Sequence, residues 1–335
     1  MRVAVTIREV ARACGVHIST VSRTFSAPHL VNPETRSRVL ACAQALGYRP
    51  NRAARALITG RTHNIGLIVA DIANPFFPPM IKAAEAAARD RDYHVFIANT
   101  NEDPAVEEEL VHALAKQVDG LVLCSPRMDD AVITRLRREV RLVTINRRVA
   151  GLPAVVMDVA QGARRAIAHL TGLGHRALAL LTGPSGAWTN AALRRAATLA
   201  ARAEGASLTV LGPNPPTESG GAARAEQIAR AGVTGVLAYN DVMAIGLIDG
   251  LSALGVQVPR DVSVVGIDDI ALGRLTRPKL TTVATPTARA GRIAVDLLLA
   301  PDDDPGRQVT LDTDLVIRDS TGPAPHLARA ATTDR

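Results

Sequence analysis

The sequence of 335 residues is poor in cysteine and in aromatic residues, and it contains no long hydrophobic run. Its three cysteines, Cys14, Cys42 and Cys124, are too few and too widely spaced for a disulfide framework or a zinc site, which favours a reducing compartment. Neither a signal peptide nor a stretch of about 18 apolar residues is present, which argues against export and membrane insertion. We therefore expect a cytoplasmic protein without a bound metal.

Catalytic signatures are absent as well. The sequence contains no lysine in a phosphate-binding loop, no GxGxxG motif after the first predicted strand and no nucleophile elbow. Neither enzymatic activity nor a cofactor is expected from it.

Acidic residues are scarce at the amino terminus. Residues 1–61 contain ten arginines, no lysine and only Glu9 and Glu34 as acids, so the formal charge of this segment is 10 − 2 = +8. The whole chain carries +7, which leaves 7 − 8 = −1 for residues 62–335. A basic segment ahead of a nearly neutral body favours a polyanion as the partner of the first 61 residues.

Three short helices are predicted within the basic segment. Thr6 and Glu9 form a capping box at the start of the first helix, and Gly15 can end it. The second helix begins near His17, and the third extends from Asn32 to Gly47. The exposed side of the second helix would carry four residues: Ile18, Ser19, Ser22 and Arg23. This pattern is typical of a helix-turn-helix, whose second helix enters the major groove of DNA, although a plain three-helix bundle with a solvated arginine face is the alternative.

Several motifs in one order resemble the headpiece of the LacI/GalR repressor family. They are Gly15-Val16, Thr20-Val21-Ser22-Arg23, Leu46-Gly47-Tyr48, Pro50-Asn51, Ala54-Arg55 and Leu57. The sequence departs from the family where the second helix is capped, because most members have Ser at the position of His17. The resemblance implies a DNA-binding surface made of fourteen residues: Thr6, His17, Ile18, Ser19, Thr20, Ser22, Arg23, Asn32, Tyr48, Asn51, Arg52, Ala54, Arg55 and Leu57.

The roles within this surface also follow from the resemblance. Base edges would be contacted by Ile18, Ser19 and Arg23, and phosphates by Thr20, Ser22 and Asn51. The segment 50–61 would form a hinge helix and linker that pairs with its dimer mate, with Leu57 wedged into the minor groove. The alternative for that segment is an arginine-rich linker.

From residue 64 onward, short apolar strands alternate with amphipathic segments. Eight strands in two sets of four are predicted, at residues 64–70, 93–98, 120–124, 142–146, 177–182, 208–212, 235–240 and 262–268. Strands that are apolar on both faces are typical of parallel sheets covered by helices. We therefore expect an α/β protein with a small all-α headpiece and two doubly wound parallel-sheet lobes, and the resemblance implies that this core is periplasmic-binding-protein-like.

The predicted division of the chain follows from these patterns. It consists of a helix-turn-helix domain at 1–49, a hinge at 50–61, a first lobe at 62–158 plus 285–314, a second lobe at 159–284 plus 315–323, and a tail at 324–335. The tail is short and has no leucine heptad, so a homodimer is expected.

Polar residues that follow the predicted strands suggest a ligand site, because ligands of open α/β sheets bind at the carboxyl ends of strands. The resemblance implies effector contacts from Phe76, Asn146, Arg194, Asn240 and Asp268, and the position of Trp188 at a strand-to-helix junction makes it a further candidate. The alternative for Phe76 and Trp188 is a place in the hydrophobic core. The alternative for Asn and Asp at such positions is a helix cap, and Asp241 has this pattern. The family pattern near Arg194 includes a glycine where this sequence has Ala197.

Together these features predict a transcription repressor that binds near-palindromic operator DNA as a homodimer and responds to a small ligand such as a sugar. Inducer and corepressor roles for the ligand remain open. Two other functions were considered for the same core. A solute-binding protein would need a signal peptide and no headpiece, and a sugar-converting enzyme would need an acid/base pair, for which only Asp268 with Asp269 is a candidate.

Overall fold

The computed structural model describes residues 5–48, 60–301 and 306–325. The chain forms two compact units, Met1–Thr62 and His63–Arg335. Residues 50–59 of the predicted hinge, with Asn51, Arg52, Ala54, Arg55 and Leu57, lie outside the described residues.

The first unit contains the three predicted helices. They are α1 (Ile7–Cys14), α2 (Ile18–Ser26) and α3 (Pro33–Ala45), with one turn of 3₁₀ helix at Pro28–Leu30 between the last two. Their shared core consists of six buried residues: Val10, Ala11, Cys14, Val21, Val39 and Ala43. Leu46, which follows the last residue of α3, is 39% exposed.

Local signals explain where these helices begin and end. The hydroxyl of Thr6 accepts from the amide of Glu9 at 3.4 Å, and the Glu9 carboxylate accepts from the amide of Thr6 at 2.7 Å, which completes the capping box. Gly15, at φ +66°, takes the left-handed conformation that ends α1. Asn32 caps α3 by accepting from the amide of Glu34 at 2.9 Å, with Pro33 in the first helical position.

The described part of the second unit contains twelve strands and nine α-helices. The strands are β1 (Asn64–Val69), β2 (His94–Asn99), β3 (Leu121–Cys124), β4 (Leu142–Ile145), β5 (Ala154–Met157), β6 (Ala177–Leu181), β7 (Ser207–Leu211), β8 (Gly235–Ala238), β9 (Ser263–Asp268), β10 (Thr281–Ala284), β11 (Gln308–Leu311) and β12 (Asp314–Val316). The helices are α4 (Phe77–Arg89), α5 (Pro104–Ala115), α6 (Asp130–Leu136), α7 (Val159–Gly172), α8 (Trp188–Ala203), α9 (Glu218–Ala222), α10 (Ala225–Arg230), α11 (Asp241–Ala253) and α12 (Thr287–Leu299). A 3₁₀ turn at Ala271–Arg274 follows β9.

The strands form two six-stranded sheets, one in each lobe. The first sheet has the order β11-β5-β4-β3-β1-β2, and the second has the order β12-β10-β9-β8-β6-β7. All described pairs are parallel except β10 with β12. The chain crosses between the lobes after β5, after β10 and after β11, so both sheets contain strands from distant parts of the sequence. The carboxyl ends of the parallel strands therefore collect polar residues from many segments.

The prediction of two sets of four strands was wrong, because each sheet has six. The four missed strands, β5, β10, β11 and β12, are only three or four residues long. Three of them, β5, β10 and β12, follow the preceding strand without an intervening α-helix, so the predicted alternation of strands with helical segments did not mark them. The lobe boundary near residue 314 also differs from the prediction, because β12 of the second sheet begins at Asp314.

No helix in the described ranges is both long and apolar enough to cross a membrane.

Candidate functional site

The second helix of the headpiece exposes the residues that sequence analysis placed there. Ile18 is 39% exposed, and Ser19 and Arg23 are also exposed, while Val21 and Thr24 on the opposite side are buried. Ser22 and Thr20 are half-buried. The helix thus presents a short surface with a cation and small polar groups, as a major-groove helix requires.

His17 is the cap of this helix despite its departure from the family pattern. Its ring nitrogen Nδ1 accepts from the amide of Ser19 at 3.3 Å and lies 2.8 Å from the Ser19 hydroxyl. The imidazole therefore satisfies a first-turn amide, as a Ser hydroxyl would.

Three other predicted DNA-binding residues lie at the ends of helices in the headpiece. Thr6 and Asn32 are exposed at the starts of α1 and α3, where each caps its helix. Tyr48 is half-buried, and its ring packs on that of Phe25 with the centroids 5.8 Å apart.

A narrow cleft lies where the carboxyl ends of the two sheets face each other. Its walls include residues from both lobes, among them Phe76, Ser125 and Asn146 of the first and Tyr239, Asn240 and Asp268 of the second. The accessible volume of the cleft is about 50 Å³. Typical ligand pockets measure roughly 300–1,000 Å³, so this cleft is narrower than a typical ligand pocket.

Asp268 is the last residue of β9 and faces this cleft. Among the described residues, none donates a hydrogen bond to its carboxylate, and burial together with the negative charge of Asp241 raises its pKa well above the ordinary value. Its backbone has φ +124°, a conformation that non-glycine residues rarely adopt and that clusters at functional sites. The carboxylate is therefore available to the hydroxyl groups of a ligand.

The neighbouring Asp269 has a different environment. Its carboxylate forms ion pairs with Arg318 at 2.5 Å and with Arg274 at 3.0 Å. It is not among the residues that line the cleft. Of the two adjacent acids, Asp268 thus lines the cleft and Asp269 is held in ion pairs outside it.

Asn146 and Asn240 line the cleft and also have structural contacts. Asn146, at φ +58°, donates to the hydroxyl of Ser125 at 3.4 Å and accepts from the amide of Met157 at 3.3 Å. Asn240 caps α11 by accepting from the amide of Met243 at 2.9 Å. The cap predicted at Asp241 is therefore wrong, because Asp241 is the first residue of the helix and is fully buried.

Of the other predicted effector residues, only Phe76 lines the cleft. Its ring packs edge-on against Phe77 at a centroid distance of 5.0 Å. Trp188, half-buried, and Arg194, exposed, both lie on α8 and are not among the lining residues. Leu193 lines the cleft instead, because adjacent helical residues point about 100° apart.

Sequence analysis missed a charged pair in the cleft. Glu102 lies just before α5 and Arg127 just after β3, and their side chains form two hydrogen bonds, of 2.5 and 3.0 Å. Arg127 follows the carboxyl end of β3 by three residues, so the strand-end rule that selected Asn146 was also applicable here. Tyr239 is a further missed residue, and its hydroxyl lies 3.3 Å from that of Thr189.

Asp241, the first residue of α11, is hydrogen-bonded to strand β10 and to the segment after β9. Its carboxylate accepts from the hydroxyl of Thr282 at 2.5 Å and from the amide of Ile270 at 2.9 Å. Burial raises the pKa of Asp241 to about 7 despite these two hydrogen bonds. Ionisation of this group therefore costs folding free energy.

A pH dependence of stability follows from this raised pKa. The pKa of Asp241 is raised from 3.8 to about 7 in the folded protein. Its contribution to the free energy of unfolding is therefore fully present below pH 3.8 and is lost as the pH rises through 7. We expect the free energy of unfolding of the native protein to fall between pH 5 and pH 8 relative to that of an Asp241→Asn variant. Urea unfolding at both pH values measures this difference, and a difference that stays constant would contradict the assignment.

An exposed helix-turn-helix surface and a polar cleft between two parallel-sheet lobes together define a ligand-responsive DNA-binding regulator. Comparison with known proteins agrees with this class. Residues 6–51 match the family model for bacterial regulatory proteins of the lacI family, and residues 167–321 match that for a periplasmic binding protein-like domain.

Individual relatives extend the similarity over most of the chain. The HTH-type transcriptional regulator GalS of Salmonella typhimurium is 36% identical over 88% of this chain and 89% of its own length. The lac repressor dimer bound to operator and the anti-inducer ONPF has a TM-score of 0.86 at 25% identity, over 96% of this chain and 100% of that chain. The complex of the transcriptional regulator CelR with cellobiose has a TM-score of 0.70 at 28% identity, over 94% and 99%. The chain belongs to the lacI family of bacterial transcription regulators.

Proposed function

We propose that this regulator is a repressor that binds a near-palindromic operator as a homodimer in the cytoplasm, and that a sugar in the cleft between its lobes controls its operator affinity. The observation that carries the ligand part of this proposal is the carboxylate of Asp268, to which no described residue donates a hydrogen bond and which lines the same cleft as the side-chain amides of Asn146 and Asn240. A carboxylate and amides provide both acceptors and donors for vicinal hydroxyl groups, and the ring of Phe76 offers an apolar surface.

The similar proteins support this assignment. The similar lac repressor structure contains operator DNA, and the similar CelR structure contains cellobiose. The relatives in this comparison are regulators rather than enzymes. An acid/base pair of Asp268 with Asp269 is disfavoured, because Asp269 is held in ion pairs with two arginines.

An exposed edge strand supports the dimer. Strand β2 is the outer strand of the first sheet, and its Phe96 and Ile97 are 43% and 45% exposed. An apolar edge strand of this kind is a liability in a monomer and is normally covered by a partner. A second copy of the chain is the partner that a near-palindromic operator requires.

Substitution of Arg23 tests the DNA-binding surface. Arg23→Ala should weaken operator binding by about 1–3 kcal/mol, or roughly 5- to 150-fold, while binding to scrambled duplex changes little, because a base-edge contact is lost. Fluorescence anisotropy with both duplexes at fixed salt measures this effect. Arg36→Ala is a matched control, since it removes the same charge from an exposed position on α3. An equal loss of affinity for the two duplexes in Arg23→Ala would show that Arg23 contacts only the phosphate backbone.

A further inference from the structure

The charged groups of the cleft are few. Of the described residues that line it, three carry carboxylate or guanidinium groups: Glu102, Arg127 and Asp268. Both side chains of the Glu102–Arg127 pair are sheltered from solvent, with 23% and 7% of their surfaces exposed, respectively. A buried charge is costly unless it is paired, so this pair constrains which charges a ligand can bring into the cleft.

The guanidinium of Arg127 is already engaged without a ligand. Nε and Nη2 donate to the two oxygens of Glu102, and Nη1 donates to the carbonyl of Ser125 at 2.7 Å. Parallel hydrogen bonds of this kind are the geometry that an arginine would otherwise offer to a ligand carboxylate or phosphate. Glu102 therefore occupies the anion-binding side of Arg127.

The backbone on both sides of the pair is fixed. The amides of Arg127 and Met128 donate to the same carboxylate oxygen of Glu107, at 2.8 and 3.0 Å, and Glu107 is only 3% exposed. On the other side, Asn101 and Glu102 have φ values of +52° and +65°. Two consecutive non-glycine residues in this region are strained and persist only where the surroundings hold them. The surrounding structure thus fixes the positions of both residues of the pair in the cleft wall.

The sum of these charges disfavours an anion. Glu102 and Arg127 cancel, and Asp268 adds a negative charge when it is ionised, so an entering anion finds no unpaired cation among the described lining residues. It would lose its hydration and face two carboxylates. A neutral polyhydroxyl ligand loses less hydration and gains hydrogen bonds with the same groups.

We propose that Glu102 determines effector specificity by neutralising Arg127, so that the cleft accepts neutral polyhydroxyl ligands and rejects sugar phosphates and sugar acids. This inference rests on the proposed control by a sugar. It assigns the selection against anions to one residue.

Calorimetry on the full-length protein with matched ligands tests the inference. The probes are neutral hexoses and pentoses, each paired with its own phosphate and, for the hexoses, its uronate. For each pair that binds, we expect the native protein to bind the neutral member at least tenfold more tightly. In Glu102→Gln, which keeps the side-chain length and frees the guanidinium, this preference should shrink by at least tenfold or reverse.

Three further variants separate charge selection from a general disturbance. Glu108→Gln makes the same chemical change on α5 outside the cleft, where Glu108 pairs with Arg135, and should leave the preference unchanged. Adding Arg127→Gln to Glu102→Gln should restore rejection of the anionic member. Glu102→Ala also removes the negative charge and should show the same loss of the neutral preference, which keeps the test decisive if Glu102→Gln does not fold.

The outcomes distinguish this inference from the function on which it rests. Equal or tighter binding of anionic members by the native protein would overturn the role of Glu102, since it would mean that a ligand displaces Glu102 from Arg127. An unchanged preference in folded Glu102→Gln would overturn it as well. If no neutral or anionic sugar binds the native protein, the proposed control by a sugar is itself wrong.

Discussion

Removing residues 1–61 should abolish operator binding and leave ligand binding unchanged. The removed segment carries a formal charge of +8, and the remaining residues carry −1. Without that charge the core has no electrostatic attraction to DNA, and without α2 it has no base contacts. Because specific sites are typically bound about 10³- to 10⁷-fold more tightly than non-specific DNA, the loss should exceed three orders of magnitude.

The truncated chain should nevertheless fold. His63–Arg335 is a compact unit of its own, and its buried clusters consist only of residues from that unit. Anisotropy with labelled operator measures the loss of DNA binding, and calorimetry with the sugar that binds the full chain measures the retained ligand affinity. Residual operator binding, or a core that unfolds, would contradict the assignment of DNA binding to residues 1–61 and of ligand binding to the core.

Asp268→Asn should weaken ligand binding by about 10- to 150-fold, or about 1.5–3 kcal/mol, because it removes a charge-assisted hydrogen bond in a buried site. The substitution keeps the shape of the side chain. Operator affinity without ligand should stay close to that of the native protein, since a ligand shifts the conformational equilibrium only through its differential affinity. Calorimetry and operator titrations with and without ligand measure the two effects.

A control and a pH dependence sharpen this prediction. Asp249→Asn makes the same chemical change at an exposed position on α11 and should alter neither ligand nor operator binding. Because burial and the negative charge of Asp241 raise the pKa of Asp268, the ligand affinity of the native protein should fall as the pH drops through that raised pKa. The affinity of Asp268→Asn should lack this dependence. Unchanged ligand affinity in Asp268→Asn would remove Asp268 from the site.

The headpiece was predictable because its signals are local. A capping box, a glycine after α1 and an Asn-Pro pair before α3 each act within four residues of the helix end that they define. The sequence did not predict that His17 caps α2, because an imidazole accepts from a first-turn amide only in one ring orientation.

The cleft was predictable only in part. Asn146, Asn240 and Asp268 were found because the ends of buried strands mark the ligand edge of a parallel sheet. The Glu102–Arg127 pair joins residues 25 positions apart, and only the tertiary fold brings such segments together. Along α8, alanine occupies several sides of the helix, so the sequence pattern did not distinguish Leu193 in the cleft from the exposed Arg194.

The most direct test of this account is a titration of one operator with the full-length protein, with and without a saturating neutral sugar that calorimetry has shown to bind it. A labelled near-palindromic duplex obtained by selection from a random library serves as the operator. The account predicts that the sugar changes the operator dissociation constant by at least about fivefold, the lower end of typical allosteric coupling, and that Asp268→Asn requires a higher sugar concentration for the same change. An operator affinity that is identical with and without bound sugar would contradict it.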